Sequence, residues 1–219
     1  MSDEPPTEDG VPIVEPPFDG SRSENEASVG GVVLAAGTSS RFGESNKLLA
    51  TVGGEPIVSH AVRTLLNASI EPIVVVLGHE ADAVEAAVAD FPVETVYNDR
   101  YASGQSSSVG VGIAELAANS AVDAAVVVLG DMPFVDPDTV GTIVAAYRDG
   151  AGEALAAAHD GVRGNPVLFD RRFFEALGRI EGDIGGRRIL LESDSAALVA
   201  VDDPGVRRDV DESGDLPAE

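Results

Sequence analysis

Runs of small and branched apolar residues recur along this chain at regular intervals. They cover residues 31–35, 73–77 and 124–129 without a polar interruption, and 93–97 forms a more polar fourth run. Between them the pattern changes period. Residues 56–68 place apolar side chains at three- and four-residue spacing behind Pro56, which predicts a helix with proline in its first turn. Helices are predicted in the same way over 81–89 and over 106–118, the latter entered through Gly104-Gln105-Ser106-Ser107-Ser108. Asp136 can cap a further helix that starts at Pro137 and runs to about Tyr147. Buried strands separated by amphipathic helices predict an α/β architecture: a mainly parallel, twisted sheet between two helical layers, Rossmann-like in form. Beyond residue 150 the alternation is less regular. Short strands are predicted at 154–158 and 167–169, flanking Gly164-Asn165-Pro166 and either extending the sheet or covering it as a hairpin. Helices are predicted at 170–178 and 184–192, and a last strand at 197–201.

Ligands of such sheets sit beyond the carboxyl ends of the strands. The loops after the first four strands therefore bring Arg41, Lys47, Gly78, Asn98 and Asp131 to one edge, although they are far apart in sequence. The loop after the first strand carries the strongest chemistry. Val32-Val33-Leu34-Ala35-Ala36 runs into a Gly- and Ser-rich turn containing Gly37 and Gly43 and closed by Arg41 and Lys47, after which the pattern turns helical. Inward-facing backbone N–H groups and two cations form a cradle for a polyphosphate. The loop is not a Walker A motif, because Lys47 is followed by Leu48, and it lacks the three closely spaced glycines of a dinucleotide fingerprint. Lys47 is also the only lysine in the chain; the other 13 positive residues are arginines.

Composition narrows the partners. A net charge of −24 opposes binding to nucleic acid or an anionic membrane. Excess acid with one lysine and no cysteine points either to a halophilic protein, in which salt screens the repulsion between carboxylates, or to an ordinary acidic protein that avoids lysine. The absence of cysteine removes disulfides, thiolate nucleophiles and Cys-based zinc sites, and His60, His79 and His159 have no ligand spacing. No apolar run reaches the ~18 residues of a membrane span, and the acidic N-terminus is no signal peptide. The expected location is the cytoplasm. Residues 1–28, with five prolines and eight acids, read as a disordered acidic tail, either a solvated extension or one carrying a short docking peptide around Val11 to Phe18, with the folded domain over 29–219.

Asp131, directly after the fourth strand in Leu129-Gly130-Asp131-Met132-Pro133, is placed to hold Mg²⁺, which takes one or two carboxylates and completes its shell with phosphate oxygens and water. Asp211 in Asp209-Val210-Asp211 is a candidate second ligand. Arg187 and Arg188 at a predicted helix start either meet an anionic substrate or belong to a salt-bridged surface. The Ser- and Gly-rich stretch from Asn98 to Ser108 either reads a base or ribose, shapes an acceptor pocket, or is a capped strand-to-helix loop.

Together these motifs resemble the MobA-like nucleotidyltransferases, and most closely their molybdenum cofactor cytidylyltransferase branch. The resemblance covers about residues 30–216. It rests on Leu34-Ala35-Ala36-Gly37-x-Ser-x-Arg41-Phe-Gly43-x-x-x-Lys47, on Gly130-Asp131-Met132-Pro133 and on Gly164-Asn165-Pro166-Val167-Leu168-Phe169. Gly182-Asp183-x-Gly185-x-Arg187 and Asp209-Val-Asp211 complete it. It implies the family's nucleotidyltransferase fold. Arg41 and Lys47 would contact the triphosphate and Asp131 would hold Mg²⁺, with Asp211 as second ligand. Leu34, Ala35, Ala36, Gly37, Gly78, Asn98 and Ser106 would complete the nucleotide site, and Asn165 and Arg187 would face the acceptor. Ala35-Ala36 in place of the guanylyltransferase branch's Gly-Gly implies CTP over GTP. The implied acceptor is molybdopterin, whose terminal phosphate would receive CMP with release of pyrophosphate. The alternatives are a guanylyltransferase, transfer onto another small phosphate such as a sugar phosphate, and a nucleotide-binding regulatory module without turnover.

Overall fold

The structure, a computed structural model, describes residues 10–20, 27–39, 42, 46–119, 121–180 and 186–216. The strands are β1 (Ile13–Val14), β2 (Val29–Ala35), β3 (Thr51–Val52), β4 (Glu55–Pro56), β5 (Ile73–Leu77), β6 (Glu94–Tyr97), β7 (Ala124–Leu129), β8 (Ala154–His159), β9 (Val162–Asp170) and β10 (Ala196–Ala200). The helices are α1 (Ile57–Asn67), α2 (Ala81–Val88), α3 (Gln105–Asn119), α4 (Pro137–Arg148), α5 (Phe174–Leu177) and α6 (Arg187–Glu192). Eight strands form one sheet in the order β1-β10-β8-β9-β7-β2-β5-β6. All neighbours pair in parallel except β9, which runs antiparallel to both β7 and β8. Helices cover both faces, so the core has two layers. Val33, Val75 and Leu65 pack on one side, while Val32, Val76, Ile113 and Leu116 pack on the other. The α/β class with a mostly parallel sheet is as the hydrophobic pattern predicts.

Three stretches differ from the sequence expectation. After Lys47 there is only a single 3-10 turn, Lys47–Leu49, and then the β3–β4 hairpin rather than a helix. Gly53 and Gly54, at φ of 59° and 83°, supply the two positive-φ positions that a tight hairpin turn demands. The short strand at 167–169 is the inner end of the nine-residue β9, which lies within the sheet. Its Gly164 and Pro166 are poor strand formers and hid its outer half. The third difference lies in the acidic tail, expected to be solvated. Ile13 and Val14 instead pair with Leu198 and Val199, Val11 is buried, and Phe18 packs on the core. Leu198 N–H donates to the Pro12 carbonyl at 2.8 Å, and Asp19 N–H donates to Asp149 at 3.1 Å. Alternating apolar residues in an acidic, proline-rich stretch thus extend the sheet past β10. Deleting residues 1–20 is expected to lower stability by about 2 kcal/mol, since Val11 and Phe18 each bury most of a side chain. A drop in the urea midpoint checks this.

A half-buried phenol ties α4 to β9. Tyr147 donates to Asp170 Oδ2 at 2.6 Å. Burial first, then the bond to Asp170 and its charge, hold the Tyr147 pKa above its ordinary 10.0. A raised folded-state pKa contributes stability that is complete below the unfolded value and is lost as pH rises through the folded one. Tyr147→Phe is therefore expected to cost about 1 kcal/mol at pH 7. It should also reduce the fall in melting temperature above about pH 10, which thermal melts across pH 7–11 would record.

Candidate functional site

Beyond β2 the chain turns at Ala36–Ser39. Ser39, at φ of 51°, accepts the Lys47 backbone N–H on its hydroxyl at 3.1 Å and donates to Asn46 Oδ1 at 3.1 Å. Asn46 is buried, and the same Oδ1 accepts Leu48 N–H at 3.1 Å, capping the 3-10 turn. The ends of the loop are thus closed by two short polar side chains, and this closure places Lys47 on the rim of the sheet. Arg41 and Gly43, the loop's other expected contributors, lie outside the described residues, as do Gly182, Asp183 and Gly185.

The Lys47 ammonium lies 2.6 Å from Asp131 Oδ2 and 2.9 Å from Asp211 Oδ1. Asp131 follows β7 directly. Asp211 arrives through a stapled C-terminal segment. Buried Asp203 accepts Asp136 N–H at 2.9 Å, the Thr139 hydroxyl at 2.8 Å and Gly205 N–H at 2.8 Å. Arg208 stacks its guanidinium 3.8 Å from the Phe134 ring centroid. Val210 N–H then donates to the Asp131 carbonyl at 2.9 Å, which sets the two aspartates side by side. Burial alone would depress the Lys47 pKa, but the charges and hydrogen bonds of Asp131 and Asp211 together outweigh it and hold the lysine above its usual 10.5. The residue stays a cation across the physiological range.

Two carboxylate oxygens that converge on one cationic point make a donor set suited to a hard divalent ion. Among the described residues no group of three or more His, Cys, Asp or Glu is arranged to hold a metal. The pair fits an ion that completes its shell with phosphate oxygens and water, as Mg²⁺ does.

Two neighbouring clefts open along this edge of the sheet. The first, of about 320 Å³, is lined by Leu34, Ala36, Gly37, Lys47, Tyr101 and Asp131 among others. The second, of about 470 Å³, has Arg163, Asn165 and Arg187 around an apolar bed of Val167, Phe169 and Leu190. Leu34, Gln105 and Leu129 line both. The strand period explains the second cleft. Residues 163, 165, 167 and 169 of β9 share one face, which grades from guanidinium and carboxamide to isopropyl and phenyl.

The structure brings Leu34, Ala36, Gly37, Lys47, Asp131 and Asp211 to the first cleft or its rim, and Asn165 and Arg187 to the second. Four expected contributors are placed differently. Ala35 is fully buried and packs into the α1 side of the core, because neighbouring strand residues face opposite ways. Gly78 lies beneath the cleft rather than along it. A Cβ there would come within 2.7 Å of the Ala36 carbonyl oxygen and Tyr101 Cβ, so glycine lets the loops close up under the floor. Asn98 is fully buried, and its amide is consumed in fixing the entry to α3. It donates to Ser107 at 2.9 Å and Ser108 at 3.0 Å and accepts Arg100 N–H at 3.0 Å. Ser106 lines a groove with Arg100 and Arg179 on another side of α3. Helical phase turns Gln105, Ser108 and Val109 to the clefts instead. Gln105, which the sequence reading covered only as part of the Asn98 to Ser108 stretch, and Arg163, which it left out, are polar residues of these clefts. The signal for the first was its i, i+3, i+4 relation to Ser108 and Val109; for the second it was the two-residue alternation with Asn165.

A family model described as the MobA-like NTP transferase domain matches residues 31–198. Nicotine blue oxidoreductase of Paenarthrobacter nicotinovorans is 31% identical over 192 residues, which cover 84% of this chain and 92% of that protein. The bifunctional protein GlmU of Alkalilimnicola ehrlichii is 41% identical over 125 residues, covering 55% of this chain and only 26% of that protein. Among solved structures, Rv0371c of Mycobacterium tuberculosis H37Rv has a TM-score of 0.76 at 29% identity, with 87% of this chain and 96% of that chain covered. A second structure of Rv0371c, in complex with manganese, has a TM-score of 0.72 at 28% identity, with 86% and 95% covered. On the breadth of the family match and the shared fold, the chain belongs to the MobA-like NTP transferase family.

Proposed function

We propose that this protein is a Mg²⁺-dependent nucleotidyltransferase that moves CMP from CTP to the terminal phosphate of a small acceptor, with molybdopterin as the leading candidate. The observation that carries this reading is the convergence of the chain's only lysine with Asp131 and Asp211 at the first of two clefts that share the walls Leu34, Gln105 and Leu129. The first cleft takes the nucleotide and the second, with Arg187 and Asn165, takes the acceptor. Ala36 lining the first cleft supports CTP over GTP through the family motif. The manganese complex of Rv0371c supports a divalent ion.

In this reading Lys47 exchanges its carboxylate partners for non-bridging phosphate oxygens, and Arg41 joins it on the triphosphate. Arg187 holds the acceptor phosphate. One of that phosphate's oxygens attacks the α-phosphorus. The new P–O bond forms as the bond from the α-phosphorus to the bridging oxygen breaks, and pyrophosphate leaves with the electron pair. A divalent ion on Asp131 and Asp211 would supply charge neutralisation at the phosphate oxygens. Positioning and electrostatics carry the rate, as in other phosphoryl chemistry.

Pyrophosphate release tests the proposal, with CTP, GTP, ATP and UTP compared in molar salt with Mg²⁺, with and without molybdenum cofactor. The salt follows from the halophilic reading of the charge. Release requiring both CTP and cofactor supports the full proposal. Release with GTP alone moves the protein to a guanylyltransferase, and release only with a sugar phosphate changes the acceptor. Nucleotide binding without release under any pairing contradicts turnover and leaves a regulatory module.

A further inference from the structure

Gln105 is the only glutamine among the 219 residues, in a chain with 38 acidic side chains. It is the first residue of α3, and among the described residues it is the only polar side chain that lines both clefts; the shared walls are otherwise Leu34 and Leu129. Its placement is built into the backbone. Gly104, at φ of 109°, turns the chain between the preceding 3-10 turn, Tyr101–Ser103, and α3, a conformation that favours glycine. Ser107 then locks the corner, donating its hydroxyl to the Gly104 carbonyl at 2.9 Å and its backbone N–H to the same oxygen at 3.2 Å. Among the described residues no hydrogen-bond partner holds the Gln105 carboxamide. The fold thus carries an exposed amide to the waist between the nucleotide cleft and the acceptor cleft and leaves its donors to a ligand.

We propose that Gln105 is a further substrate-contacting residue, whose amide donates to the phosphate bridge that forms across the waist. This rests on the two-cleft reading above, in which the α-phosphate and the acceptor phosphate become joined where the clefts meet. The chemistry of the waist favours an amide. A neutral carboxamide donates to a phosphate oxygen without drawing the phosphate away from Lys47, and it adds no negative charge beside Asp131. The ligand class that uses both clefts and the waist together is a pyrophosphate-bridged dinucleotide.

The test compares two probes by calorimetry in the presence of Mg²⁺. One is the nucleoside triphosphate that binds best. The other is the symmetrical dinucleoside 5′,5′-pyrophosphate of the same base, which spans the waist. Gln105→Ala is expected to weaken dinucleotide binding by on the order of 10-fold, as for loss of a hydrogen bond to a charged group, and to change triphosphate binding by less than about 2-fold. Gln105→Glu should weaken the dinucleotide further, through charge repulsion, with thermal melts of both variants unchanged. Equal losses for both probes, or no loss for either, would overturn the proposal. So would a dinucleotide that binds wild-type protein no more tightly than its mononucleotide half. Failure of the triphosphate itself to bind would instead overturn the proposed function on which the inference rests.

Discussion

Lys47→Ala is expected to lower turnover by on the order of 10²- to 10³-fold, the scale of losing one preorganised charge at a developing anion. The fold should survive. The loop's closure belongs to the Ser39 hydroxyl and the Asn46 amide, both independent of the lysine side chain. What the variant loses in the free protein is the cation between Asp131 and Asp211. Those carboxylates are partly exposed and screened by salt, so the stability change should stay below about 1 kcal/mol. Lys47→Arg should rescue poorly, because a planar guanidinium cannot replace a compact ammonium held between two oxygens. Pyrophosphate release together with a thermal melt separates the two effects. Full turnover in Lys47→Ala would remove the phosphate role from this loop.

Asp131→Asn is the second large effect. The amide keeps the shape of the side chain and can still accept from Lys47, but it removes one full charge from the metal pair. Metal affinity should fall by on the order of 10²-fold, in line with loss of a charged ligand or its support. Asp211→Asn should cost less, about 10-fold, because this side chain is more exposed than that of Asp131. Mn²⁺ binding followed by electron paramagnetic resonance reads this directly, without any acceptor. Equal affinities for wild type and Asp131→Asn would show that the ion sits elsewhere.

The parts of the fold legible in the sequence were those under the tightest physical constraint. The runs at 73–77 and 124–129 are buried on both faces, so every position had to be apolar, and they match β5 and β7 residue for residue. Asp131 followed from the same logic, since the residue after such a strand stands at the ligand edge. Asp136 was legible as a cap because a helix start has a local chemistry; its carboxylate accepts Asp138 N–H at 2.9 Å.

What escaped depends on contacts distant in sequence or on side-chain phase. Two residues of strand are too few to show a period, so the stretch around Val11 to Phe18 reads either as a docking peptide or as a solvated extension. Only the open edge of β10 makes Ile13–Val14 a strand. Asp211 was named from its motif, but the network of Asp203 that delivers it beside Asp131 is not written in local spacing. Asn98 and Ser106 lie at the right edge of the sheet but point away from the clefts, into the α3 entry and the groove beside it. The position of a residue along the chain fixed its neighbourhood; the turn at Gly104 decided that Gln105 would line the clefts.

The central claim is that the two clefts join a nucleotide to an acceptor phosphate. The most direct measurement follows the label from [α-³²P]CTP in the presence of Mg²⁺ and molybdenum cofactor. The account predicts that label appears in a dinucleotide product in step with pyrophosphate, and that Lys47→Ala and Asp131→Asn lose it. Label that ends as free CMP, or stays in CTP with every nucleotide and acceptor pairing, would contradict nucleotidyl transfer.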